Sequence, residues 1–178
     1  SIDEIWHLAA NSDIHNGIHN PQIDLRDTFM TTFNLLEVAK KNSIKEFFFT
    51  SSSAVYGDYG KKIIEENDGP LMPISNYGAM KLASEALCFA AYEGFLEKLR
   101  IFRLPNVVGT PATHGVILDF IKKLVKNPKK LNVLGNGEQQ KSYLHVNDLV
   151  EGMILLSETN LEENSNPIFN LGPDENSV

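Results

Sequence analysis

The sequence predicts an α/β fold in which a parallel sheet is doubly wound, with helices on both sides. Three observations point there. Strand-like apolar runs alternate with stretches of helical spacing, and no internal repeat interrupts them. Phe47, Phe48 and Phe49 follow one another directly, which suits a strand buried on both faces better than a helix with one wet side. Behind them come Thr50, Ser51, Ser52 and Ser53, hydroxyls gathered at a strand's carboxyl end, where open α/β sheets place their ligands.

Taken in order, Glu4 to Ala10 (EIWHLAA) reads as a strand whose small Ala9 and Ala10 would let a ligand approach the backbone. Residues 11 to 22 read as a polar loop. A helix is expected from about Asp24 to Lys41, because Leu25, Phe29, Phe33 and Leu36 recur at three and four residues and the end is basic. The buried strand covers Lys45 to Ser52. Asp58 to Pro73 has no period and reads as a loop over the site. Asn76 to Leu96 reads as a helix, and Leu99 to Asn106 as a strand whose end Pro105 marks. Beyond it we expect a helix at Val116 to Val125, a short strand at Leu131 to Leu134 and a glycine turn GNGE. An extended segment follows at Ser142 to Val146. Asn147 or Asp148 would cap a helix from Leu149 to Ser157, and Pro167 to Leu171 would form the last strand.

At 178 residues the chain is one domain or a large part of one. A net charge of -7 argues against a nucleic-acid surface, which needs clustered positive charge. The lysines from Lys122 to Lys130 read as the solvated face and end of a helix. Cys88 has no second cysteine to pair with and sits in an apolar helical pattern, so it reads as a buried structural thiol. With no signal peptide and no apolar stretch near 18 residues in length, we expect a soluble, cytoplasmic protein with no membrane partner.

The chemistry is carried by Tyr77 and Lys81. A spacing of four sets both on one helix face. Tyr-x-x-x-Lys alone is weak, since this composition gives about 0.4 chance matches, and it counts only in context. Here Ser52 lies 25 positions earlier at the end of the buried strand, and Pro73, Ser75 and Tyr77 spell P-x-S-x-Y. A phenol, an ammonium and a hydroxyl meeting in one crevice can move a proton at an alcohol oxygen while hydride leaves its carbon. The five histidines, His7, His15, His19, His114 and His145, show no third-ligand spacing for a metal. His15 and His19 read as loop residues and His7 as a packed strand residue. The G-x-S-x-G turn of a serine hydrolase is absent.

These motifs resemble the extended short-chain dehydrogenase/reductase family, and within it the nucleotide-sugar epimerases and dehydratases. The likeness covers nearly the whole chain: HLAA at His7 to Ala10, TSSSAVYG at Thr50 to Gly57, the Tyr77 and Lys81 pair, FRLPNVVG at Phe102 to Gly109, and Leu134 to Val150. It implies a Rossmann-like sheet, NAD as cofactor, a nucleotide sugar as substrate and a homodimer joined through helices. It implies Ser52, Tyr77 and Lys81 as catalytic residues. Leu8, Ala9, Ala10, Thr50, Ser51 and Leu104 would join Tyr77 and Lys81 in holding the cofactor. Ser12, Ser53, Asn106 and Lys141 would join Ser52 against the substrate. Lys141 stands where the family has an arginine, so charge is kept without the bidentate fork.

Resemblance also implies a division into a partial cofactor domain at residues 1 to 108 and, at 109 to 178, a mainly substrate-binding region with a returning helix and strand. Two departures qualify it. The family's opening strand and G-x-x-G-x-x-G turn, which hold the pyrophosphate, are absent, so we expect a fragment of a longer enzyme. At Thr28 to Thr32 the chain reads TFMTT where the family has N-V-x-G-T, which puts a polar role for that helix in doubt. Ser53 and Ala54 occupy positions that are acidic in the sugar dehydratases and decarboxylating members, and so favour 4-epimerisation through a 4-keto intermediate. The competing readings are a non-catalytic sugar-nucleotide-binding fragment and an NAD(P)-dependent sugar reductase or dehydratase.

Overall fold

The computed structural model describes residues 2–60, 62–112, 115–133, 135–137, 140–162 and 165–173. In chain order the elements are β1 (Glu4–His7), α1 (Ile14–His19), α2 (Pro21–Asp24), a π-helical turn (Leu25–Phe29) and α3 (Met30–Lys41). Next come β2 (Glu46–Ser52), a 3-10 turn (Ser53–Val55), α4 (Asn76–Gly94), β3 (Lys98–Leu104), β4 (Asn106–Val108) and α5 (Val116–Lys126). The last are β5 (Tyr143–His145), α6 (Val146–Glu158) and β6 (Ile168–Asn170). They form two compact units, one of Ser1–Leu104 with Gly152–Leu171 and one of Pro105–Glu151 with Gly172–Val178.

The first unit is built on a four-stranded, fully parallel sheet in the order β1-β2-β3-β6. Alternation along each strand sends successive side chains to opposite faces. Phe47, Phe49, Leu99 and Ile101 point one way and pack with Leu36 of α3, Cys88 and Ala91 of α4, and Leu96. Phe48 and Phe102 point the other way and meet Trp6, with ring centroids 4.5 and 6.4 Å apart. Arg100 lies on this second face and donates to the carbonyls of Leu156 and Thr159, satisfying the end of α6. Helices therefore cover both faces, as the unbroken phenylalanine run requires. Each buried phenylalanine contributes roughly 1.5–3 kcal/mol relative to exposure.

Residues 11 to 22 depart from the expected loop. Asp13 accepts from the Asn16 amide and caps α1, while Pro21 opens α2 with its fixed φ. His19 is therefore helical, as is the backbone of His15. Pro105 has no amide proton to offer, so β3 stops at Leu104 and Asn106 instead opens a second sheet. Residues 131–133 are not in a strand, and Leu134, Glu138 and His114 lie outside the described residues. Asn147 and Asp148 lie inside α6 and do not cap it; its first turn is closed by His145, whose Nδ1 accepts from the Asn147 amide.

In the second unit β4 pairs in parallel with β5, Asn106 opposite Tyr143. Among the described residues no helix is long and apolar enough to cross a membrane, and no three His, Cys, Asp or Glu side chains gather as a metal site.

Candidate active site

β2 ends at Ser52, which has extended backbone and accepts from the Ala54 amide at 3.2 Å, so the strand turns directly into the 3-10 turn. Ser75 caps α4 by accepting from the Gly78 amide. A side chain at Gly78 would put its Cβ 2.6 Å from the Ala54 carbonyl oxygen, so glycine alone lets the first turn of α4 close on the turn behind Ser52. That contact brings Tyr77 to Ser52. The Ser52 hydroxyl is close enough to act on the Tyr77 phenol, and side-chain pairs of this kind commonly tighten only around a bound reactant.

Lys81, one turn further on, is 2% exposed. Its Nζ donates to the Thr50 carbonyl at 2.6 Å and lies 4.7 Å from the Phe49 ring centroid and 5.8 Å from that of Tyr77. Burial lowers its pKa to about 8, against the raising effect of Cys88 and Glu85. Burial also raises the pKa of the Tyr77 phenol; the Ser52 hydroxyl works the other way, and the Asp24 charge adds to the rise. The protein alone thus keeps Tyr77 protonated.

The remaining expected residues divide. Thr50 donates its hydroxyl to the His7 carbonyl and joins β1 to β2 at the carboxyl edge. Leu8 and Ala9 are exposed just beyond β1, with Ala10 half-buried. Leu104 pairs with Ser52 in register. Ser12 and Ser53 are exposed. Ser51 is buried, and its hydroxyl donates to Glu85 Oε1 at 2.5 Å, which turns its side chain toward α4. In the second unit the Asn106 amide and Nδ2 both donate to the Ser142 carbonyl, which makes Asn106 a neighbour of exposed Lys141.

The threonines of TFMTT keep a polar role after all. Thr28 Oγ1 accepts from the Asn11 amide at 3.1 Å, and Thr32 Oγ1 lies 2.9 Å from His7 Nε2. Four residues escaped the sequence reading: Asp24, Asn76, Glu85 and Arg103. Only Arg103 left a trace, a charge inside an apolar strand, which must find a partner when buried. It finds Glu85 at 2.7 and 3.0 Å.

His7 is 1% exposed, and its Nδ1 has no partner among the described residues. Burial first, then the Lys81 charge, lowers its pKa to about 4. The native state therefore excludes the imidazolium. Between that value and the ordinary 6.5 the unfolded chain binds more protons, so stability falls as pH drops through the window. This group alone should make the unfolding free energy as much as about 2 kcal/mol lower at pH 5 than at pH 7. Urea denaturation at both pH values should show that difference shrink in His7→Gln.

A cavity of about 750 Å³ lies at the other end of the sheet, lined by Glu46, Lys98, Arg100 and Pro167 among others, and it shares no residue with this site. Open α/β sheets bind at their carboxyl ends, where Ser52, Tyr77 and Lys81 meet.

Fold and site together define a Rossmann-like protein of the short-chain dehydrogenase/reductase kind. The family model described as the NAD dependent epimerase/dehydratase family matches residues 1–172, and the chain belongs to that family. It is similar to a crystal structure of UDP-galactose 4-epimerase, with 38% identity and a TM-score of 0.84 over 97% of this chain and 57% of that one. It is 28% identical to GDP-mannose 3,5-epimerase 1 of Oryza sativa subsp. indica over 98% of this chain and 48% of that protein. It is 30% identical to UDP-glucuronic acid decarboxylase 1 of Xenopus tropicalis over 99% of this chain and 42% of that protein. The chain spans about half the length of the curated relatives it matches.

The residues present fit the nicotinamide end of NAD. Lys81 has three N–H donors and gives one to Thr50, and small Ala9 and Ala10 follow β1.

Proposed function

We propose that this chain carries the catalytic centre of an NAD-dependent nucleotide-sugar 4-epimerase. The observation behind this reading is the closure of Gly78 on Ala54, which gathers Ser52, Tyr77 and Lys81 at the carboxyl edge while Ser53 and Ala54 supply no acid or base. Tyr77 takes the proton of the sugar 4-hydroxyl, and Ser52 hydrogen-bonds the same oxygen and shares the transfer. Lys81, oriented by the Thr50 carbonyl, holds the ribose hydroxyls of the cofactor and stabilises negative charge on the phenol. Bound NAD supplies the acceptor, and later the donor, of the hydride at sugar carbon 4. The 4-keto sugar turns between the two transfers, which inverts that carbon with no net redox change.

In this reading residues 1–108 bind cofactor and perform the chemistry and 109–178 are mainly a substrate region; Asn106, just before that boundary, and Lys141 beyond it contact the nucleotide sugar. Ser12 meets the substrate from the loop after β1. The enzyme would be a cytoplasmic homodimer joined through α3 and α4, where Met30 and Phe33 leave apolar surface exposed. The test is to incubate the complete protein with UDP-glucose or UDP-galactose. Interconversion without net NADH consumption is expected. Net NADH consumption, or carbon dioxide release from UDP-glucuronic acid, would assign it instead to the reductases or the decarboxylases.

A further inference from the structure

No step of that reaction uses Asp24, yet its carboxyl is 0% exposed at the end of α2. Oδ1 accepts from Asn11 Nδ2 at 2.7 Å, and Oδ2 has no hydrogen-bond partner among the described residues. Leaving a buried acceptor unsatisfied carries a desolvation penalty, so its surroundings must hold it there. Asp24 stands against Gly17 of α1, where an added Cβ would lie 2.0 Å from Oδ2. The Gly17 carbonyl accepts from Asn76 Nδ2 at 3.1 Å, and Asn76 immediately precedes Tyr77. At the other end Asn11 also brackets Asp13, donating to its carbonyl and accepting from its amide, while Asp13 caps α1. Contacts thus run from Asp24 through Asn11 and Asp13 into α1, and from Gly17 through Asn76 to the catalytic helix. Ser12 lies inside this loop.

We infer that Asp24 is a positioning residue of the catalytic centre: its buried carboxylate holds the segment from Asn11 to His19 against the first turn of α4, fixing where the substrate-side loop meets Tyr77. This rests on the proposed reading of Tyr77 as the reacting group. Asparagine at position 24 would keep the size but lose the charge and set an amide donor against Gly17. Alanine would remove the carboxylate altogether and release Asn11. Among the described residues, the charged and polar groups facing Tyr77 include Asp24 from α2, Ser52 from β2 and Lys81 on α4, with His7 of β1 facing Lys81. Of these, Asp24 is the one whose charge opposes ionisation of the phenol.

The experiment compares the complete enzyme with its Asp24→Asn and Asp24→Ala variants by two readouts that need no sugar substrate. The first is phenolate absorbance against pH, with Tyr77 isolated by subtracting the trace of Tyr77→Phe. The second is amide hydrogen exchange over residues 11–19. Ionisation of Tyr77 is expected at lower pH in Asp24→Asn, and exchange in the segment should quicken at least about tenfold in Asp24→Ala. The KM for the nucleotide sugar should rise roughly tenfold in Asp24→Ala with a smaller change in kcat. Unchanged exchange and unchanged Tyr77 titration in Asp24→Asn, the variant that best keeps the fold, would overturn the inference. Shifted titration and exchange in a protein that turns over no nucleotide sugar would support the positioning role and refute the reaction.

Discussion

Tyr77→Phe is expected to lower kcat of the complete enzyme by about 10²- to 10⁴-fold, the usual worth of a positioned general acid–base group, while the fold stays intact. The substitution removes one oxygen. Its partner Ser52 is only half-buried and also accepts from the Ala54 amide, so the loss strands no fully buried group there. The ring remains for Lys81, whose Nζ lies 5.8 Å from its centroid, and Lys81 keeps its stronger tie to the Thr50 carbonyl. Melting temperature should therefore move little, and KM should change less than kcat, because the phenol acts on the proton in flight more than on the bound sugar. Ser52 and Lys81 remain in Tyr77→Phe, but neither replaces the phenol. Lys81 is turned to Thr50, and a serine hydroxyl is a much weaker acid than a phenol. Turnover of UDP-sugar by the purified variant, measured beside its thermal melt, decides the matter: wild-type turnover in a folded variant removes Tyr77 from the chemistry.

The part of this site that could be read from the sequence is the part built by local order. The Phe47 to Phe49 run marks a doubly covered strand, its carboxyl end supplies Thr50 to Ser53, and Tyr77 and Lys81 share a helix face by spacing alone. The segment from Asn11 to Asp24 could not be read that way. α1 rests on an Asp13 cap and a side-chain turn from Asn11, with only Ile14 and Ile18 to suggest a period, and both of these are exposed. Asp24 and Asn76 act through partners 13 and 59 residues away, and no spacing rule reaches that far. The pKa direction of Tyr77 was equally hidden. A lysine one turn away is legible from spacing, but the burial that raises the phenol's pKa is a property of the packed fold. Ser51 looked like its neighbours in sequence, yet strand alternation turns it to the opposite face from Ser52 and into Glu85.

Glu85 is the reason the second large effect should fall on stability. Its carboxylate takes Arg103 in a two-pronged contact, with both side chains no more than 3% exposed, and accepts from Ser51 as well. Arg103 continues to the Tyr56 hydroxyl at 2.8 Å, and that hydroxyl donates to Asn170 Oδ1 at 2.7 Å. One buried network therefore joins β2 beside Ser52, α4 one turn past Lys81, β3 and β6. Removing one member leaves the other charge buried and unpaired, which costs about 3–5 kcal/mol. Glu85→Ala is expected to lose that much in urea denaturation at pH 7, equivalent to a Tm lower by roughly 6–20 °C in a chain of this size. Arg103→Met alone should fall in the same range. The double variant Glu85→Leu/Arg103→Met leaves no orphaned charge and should be less destabilised than either single change, because much of each single loss is the desolvation of the abandoned partner. Additive losses in the double variant would instead mean that each side chain is stabilised independently, by packing and by its other bonds, and that the pair does not tie α4 to the sheet.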